Sequence, residues 1–133
     1  ERRGDQIGMP AVSRHKNREV LQSGQQAVEL ARAAGVNVGF GTDLMGLLED
    51  DQLNGLRLQA EVDGIWTALT SATSVNAELI GRPDLGRVAE GCTADLLILD
   101  GSICDDPSMV WSPDSRRTIA QDGRVIADST APR

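Results

Sequence analysis

Few side chains in this sequence are of a type and spacing to do chemistry, and the first of them is Asp43. It closes the run Gly35-Val36-Asn37-Val38-Gly39-Phe40-Gly41-Thr42-Asp43. Residues 36–40 read as a short strand, so the carboxylate falls just past a strand's C-terminal end, where parallel α/β folds bind their ligands. Gly41 would let backbone approach closely there. The plainer alternative is a loop acid that caps a turn or the next helix. His15 is the only imidazole, but its neighbours Arg14, Lys16 and Asn17 suit a solvated helix entry better than a ligand position. Cys92 and Cys104 flank a predicted strand. No His or third Cys accompanies them, so they read as free, reduced thiols and not as a metal pair or a disulfide framework. The acids Glu49-Asp50-Asp51 are explained by a helix N-terminus, whose dipole favours negative charge.

The elements that must position Asp43 follow from periodicity. From Asn17 onward, Val20, Leu21, Gly24, Ala27, Val28, Ala31 and Ala34 share one helical face. Ser13 or Asn17 is placed to cap this helix, and Gly35 stands at its left-handed C-terminus. The residues before Ser13, with Gly4, Gly8 and Pro10, read as a loop. A helix, a Gly turn and the strand of residues 36–40 form an αβ unit, which favours a parallel sheet. Asp50 and Asp51 cap a second predicted helix, Gln52 to Val62, with Leu53, Leu56 and Ala60 inward, and Asp63-Gly64 breaks it. A third runs from Ile65 to Ile80, burying Trp66, Leu69, Ala72, Val75, Ala77, Leu79 and Ile80, until Gly81-Arg82-Pro83 ends it. The character then turns to β. Leu85-Gly86-Arg87-Val88 leads to a turn at Glu90-Gly91. Residues 94–100 form an apolar run expected to be covered on both faces. Residues 117–121 and 124–127, joined by Asp122-Gly123, carry a hairpin signal.

Composition narrows the function classes. The chain has 133 residues, enough for one domain with a real core, and 40% hydrophobic with 25% charged residues suits a soluble globular protein. Phe40, Trp66 and Trp111 are its only aromatics, so Leu, Val, Ile and Ala must build the core. A formal net charge of −7 argues against nucleic acid or an anionic membrane as partner. No apolar stretch is long enough for a membrane span, and no signal peptide is visible, so a cytoplasmic setting fits best. The chain opens on Glu1-Arg2-Arg3 without Met, as an internal cut, a cloning boundary or a missing upstream half would explain.

Four segments resemble the amidohydrolase superfamily, particularly its imidazolonepropionase-like and peptide-amide-hydrolysing branches. Residues 35–43 look like its eighth barrel strand, and Ala72-Thr73-Ser74-Val75-Asn76-Ala77-Glu78-Leu79-Ile80-Gly81 is similar to the helix that follows. Residues 85–101, with Ala94-Asp95-Leu96, resemble a G-x-[IV]-x-x-G-x-x-A-D-L strand entry. Ile119-Ala120-Gln121-Asp122-Gly123-Arg124-Val125-Ile126 matches a closing hairpin. Their order and spacing cover roughly Ser13 to Asp128.

The resemblance implies an α/β fold: the last βα part of a TIM-type (β/α)8 barrel, residues 1–83, plus part of a small β-sandwich, residues 84–133. It implies metal-assisted hydrolysis of C–N bonds (amide, cyclic amide or non-standard peptide), with zinc or a similar divalent ion activating water. Asp43 holds the position of the aspartate that binds metal and takes the proton from that water. Asp95 is expected to be structural, bonding backbone at its strand start. The acidic loop lacks a His that relatives often carry there, which leaves substrate choice open. The pattern further asks for a His-x-His pair, a bridging Lys or Glu and two later histidines, and one histidine cannot replace four. A whole barrel takes about 250 residues. The chain is therefore expected to be incomplete and inactive alone, with the N-terminal barrel portion or a second chain as partner and a small amide as substrate. The alternative is a truncated, non-catalytic remnant that serves as an assembly or interaction module, with its open strand as the surface for dimerising.

Overall fold

A computed structural model of the chain describes residues 10–130, and the side chains of all of these except 11–19, 21, 22 and 47. The predicted loop before Ser13 lies mostly outside the described residues. Helix α1 spans Ala11–Ala33 and starts six residues before the expected Asn17. Nothing between Pro10 and Asn17 breaks a helix, and Pro10 is well suited to lead into one. His15 sits within α1. The C-terminus is a Schellman turn, as the sequence implies. Gly35 has φ 71°, its N–H donates to the Arg32 carbonyl at 2.9 Å and the Val36 N–H to that of Ala31 at 2.9 Å.

Residues 36–40 do not form a strand, contrary to expectation. A strand exists only through ladder bonds to a neighbour, and the described residues offer this segment no strand to pair with. It runs on without regular secondary structure, through Asp43 at φ 52°, to a 3₁₀ turn, Gly46–Asp51, in which Glu49 accepts from the Gly46 N–H at 3.3 Å. Helix α2 spans Gln52–Asp63 and ends where Gly64 takes φ 81°. Asp51 stands at its N-cap without a side-chain cap bond and accepts instead from the Asn54 amide at 3.1 Å.

The third predicted helix is continuous but not uniform. It comprises α3 (Ile65–Thr70), a π-helical turn (Ser71–Val75) and α4 (Asn76–Leu79). Gly81 closes it in a second Schellman turn, with bonds from Gly81 to Glu78 and from Arg82 to Ala77. Its buried face is narrower than its periodicity implies: Ala68, Ser71 and Ala77 are buried, but Trp66, Leu79 and Ile80 are exposed. Leu53 of α2 and Val20 of α1 are exposed as well. An apolar stripe marks a face that wants a partner, and burial requires one within reach.

Three strands follow in the order β1 (Leu96–Leu99), β2 (Arg117–Gln121) and β3 (Arg124–Asp128), all antiparallel. Leu96 pairs with Ala120 and Leu99 with Arg117. The β2–β3 hairpin turns on Asp122 and Gly123, both at positive φ (48° and 73°), as a type I′ turn demands. A bulge between Ile119 and Ala120 shifts its register. β1 is an edge strand here, and Leu97 and Ile98 are exposed, so the expected cover on both faces is not found. The central core is small: Leu56, Ala68 and Val110, with Phe40, Leu99, Ile103 and Trp111 packed against it.

Candidate functional site

Asp43 is exposed, and its backbone takes φ 52°, the left-handed region that non-glycine residues seldom enter. Such a conformation persists only where the surroundings hold it. Here the segment leading to Asp43 is tied down at three points, each by a different element.

The first tie is Arg32, at the end of α1. Its guanidinium donates to the Val38 carbonyl at 3.3 Å, to the Ser71 hydroxyl, and to the Asp63 carboxylate at 3.4 Å. Gln59 adds a further donor to Asp63 at 3.4 Å. Asp63 keeps only 7% of its side-chain surface exposed and Ser71 none, so this cluster replaces their lost water. The second tie is Asn76, at the start of α4. Its Oδ1 accepts from the Phe40 N–H at 3.0 Å, and its Nδ2 donates to the Phe40 carbonyl at 2.8 Å. The third is steric. A Cβ on Gly55 would lie 2.5 Å from the Thr42 methyl carbon, so α2 abuts the segment where only glycine fits.

The sequence singled out Asp43 and the structure places it on a loop whose approach is fixed. It does not bring the cysteines into a cluster with it: Cys92 and Cys104 are free, and Cys104 is exposed; His15 lies in α1, with its side chain outside those described. Among the described residues no three His, Cys, Asp or Glu side chains come together as metal ligands. The chemistry of the donor set thus falls short of the three or four protein ligands a zinc site needs. Asp43 offers one carboxylate and nothing more. Asp95 bonds backbone as expected, although at a distance: its Oδ1 accepts from the Asp122 N–H at 2.8 Å and so braces the hairpin turn.

Arg32, Ser71 and Asn76 escaped the sequence reading. Asn76 lies inside a motif already noted, and a polar residue amid an apolar helical pattern was the available signal. Its partner lies 36 residues away, beyond the reach of local spacing.

Among the described residues no helix is long and apolar enough to cross a membrane. Residues 1–127 match the Amidohydrolase family. Among solved structures the chain is similar to an uncharacterized protein, at 36% identity and TM-score 0.85. It is also similar to a prolidase complexed with N-methylphosphonate-L-proline, at 36% identity and TM-score 0.84. Each alignment covers 96% of this chain and 32% of the solved one. An amidohydrolase aligns at 32% identity and TM-score 0.82, over 97% of this chain and 32% of its own. The chain therefore spans about a third of the length of the solved chains it matches. No curated protein matches it. A match along nearly the whole sequence, together with the shared partial α/β fold, establishes that this chain belongs to the amidohydrolase family.

Proposed function

We propose that this chain is the C-terminal part of a metal-dependent hydrolase of C–N bonds, in which Asp43 is one metal ligand and the general base. The observation behind this reading is Asp43 itself: an exposed carboxylate at φ 52° on a segment fixed at Val38, Phe40 and Thr42. Family membership supports hydrolysis as the reaction class. The remaining ligands would come from outside the described residues. A divalent ion, zinc in this reading, would supply polarisation of the scissile carbonyl.

The step assigned to this chain is a proton transfer. As a water oxygen bonds to the carbonyl carbon, its proton passes to the Asp43 carboxylate. The same proton then goes to the departing nitrogen as the C–N bond breaks, leaving a carboxylic acid and an amine. A prolidase among the relatives, solved with a ligand built on L-proline, makes acyl-prolines the first substrates to assay.

The test measures metal content and hydrolysis for this chain alone and for the full-length protein that carries it. Little metal and no turnover are expected alone, and both in the full-length protein. Asp43→Ala there should lower kcat at least about 100-fold, the lower range for loss of a general base. Full turnover by Asp43→Ala would overturn the assignment. A stable, metal-free oligomer in both preparations would favour the assembly-module reading, for which the exposed β3 residues Val125 and Ile126 speak.

A further inference from the structure

We propose that Asn76 is a positioning residue for Asp43, acting through the backbone of Phe40. The inference rests on the reading of Asp43 as the reacting carboxylate and deepens it.

Extended backbone needs partners for its N–H and C=O groups, and in a sheet an adjacent strand supplies them. In an antiparallel ladder two facing residues exchange both bonds. The Asn76 carboxamide does the same for Phe40, accepting from its N–H at 3.0 Å and donating to its carbonyl at 2.8 Å. One side chain thus stands in for a strand. The fit is close enough to dictate a neighbour: a Cβ on Gly39 would lie 2.3 Å from Asn76 Oδ1 and 2.9 Å from Leu79 Cδ1. Phe40 is held from its other side as well, since its ring packs on the core around Leu56, Ala68 and Val110. Only Gly41 and Thr42 separate this fixed residue from Asp43, and Thr42 is itself wedged against Gly55.

The π turn explains how the helix delivers this contact. Ser71 reaches the segment through Arg32, which bonds Val38, and Asn76 reaches it directly at Phe40. These two residues are five apart. At 3.6 residues per turn they would point about 140° away from one another. Widening the turn to an i→i+5 pattern brings them towards one line, and the π segment Ser71–Val75 lies between α3 and Asn76. A regular helix would give up one of the two contacts.

The experiment is a double-mutant cycle in the full-length enzyme, on an acyl-proline substrate, with Asp43→Asn, Asn76→Ala and the pair. Asn76→Ala should lower kcat about tenfold or more, as a displaced catalytic group does, with KM nearly unchanged. On the Asp43→Asn background it should cost nothing further. The near-isosteric Asn76→Asp, which keeps the acceptor for Phe40 N–H and loses the donor, should show the same non-additive loss if Asn76→Ala folds poorly. In this chain, exchange of the Phe40 amide hydrogen should accelerate in Asn76→Ala while that of α2 stays put. Loss in Asp43→Asn with an additive further loss from the Asn76 variants would overturn the positioning role and leave the base assignment standing. Full activity of Asp43→Asn would overturn both.

Discussion

Asp43 combines an exposed carboxylate with a backbone conformation that disfavours most side chains. The left-handed region costs an L-residue on the order of 1–2 kcal/mol, less for Asp, and almost nothing for Gly. Replacing Asp43 by Gly should therefore leave the fold as stable as before or up to about 1 kcal/mol more so. Asp43→Val should be less stable than either. Urea unfolding of the three proteins checks the order, and an Asp43→Gly protein clearly weaker than the parent would count against strain at this position. If Asp43 is the base, the most stable variant is also an inactive one. The sequence pointed to Asp43 through the resemblance of residues 35–43 together with the segments that follow in order, and the structure puts that residue on an exposed loop at positive φ. That Asn76 secures its approach was not legible there: a side-chain amide bonding backbone 36 residues away leaves no periodic trace.

At the scale of elements, the helices and the hairpin were legible, and the burial of their faces was not. Gly35, Gly64 and Gly81 end their helices at positive φ as their positions imply, and Asp122-Gly123 makes the expected turn. Residues 36–40 failed as a strand for want of a partner, and two side chains took over that role instead. Trp66, Leu79 and Ile80 sit on an apolar stripe yet face outward, because periodicity reports the stripe and not the surface opposite it. Sequence spacing also treats residues 65–80 as one regular helix, whereas the π turn at Ser71–Val75 re-aims its second half. Arg32 joins α1, the segment before Asp43, α2 and the π turn through one guanidinium. Arg32→Met would keep much of the stem and strand the buried Asp63 carboxylate with Gln59 as its remaining donor. The expected cost is about 2 kcal/mol, the range for a buried group deprived of its bond. Chemical denaturation measures it, and Arg32→Met with Asp63→Asn should recover part of the loss.

At the scale of the molecule, the cluster at the centre of the core is small among the described residues, Leu56, Ala68 and Val110, and many large apolar side chains are exposed. The chain aligns with about a third of each solved relative, whose folds extend well beyond the matched portion. Charge contributes to stability at the connection between the helices and the sheet. Arg82 donates twice to Asp84, at 2.8 and 2.6 Å, and this hydrogen bonding holds the Asp84 carboxyl below the usual carboxylate range. A depressed value in the folded state means that the pair stabilises above the ordinary carboxylate range and that this contribution fades as pH falls below it. Asp84→Asn should therefore flatten the acid side of the stability profile, read as urea midpoints at about pH 6 and about pH 3. Both side chains face solvent, so the effect should be small and should shrink with added salt.

The hairpin turn has one more consequence, and it concerns age. An Asp-Gly pair is among the places where a polypeptide rearranges readily: the glycine nitrogen attacks the aspartyl carboxyl, water is lost as a ring closes, and water reopens the ring to isoaspartate. In this molecule the Gly123 N–H is donated to the Ala94 carbonyl at 3.0 Å, and the Asp122 N–H to Asp95 at 2.8 Å. The nitrogen that would begin the damage is already engaged, by residues that lead directly into β1. Chemical decay at this turn is thereby tied to loosening of the sheet: isoaspartate should form there more slowly while β1 stays docked against the hairpin.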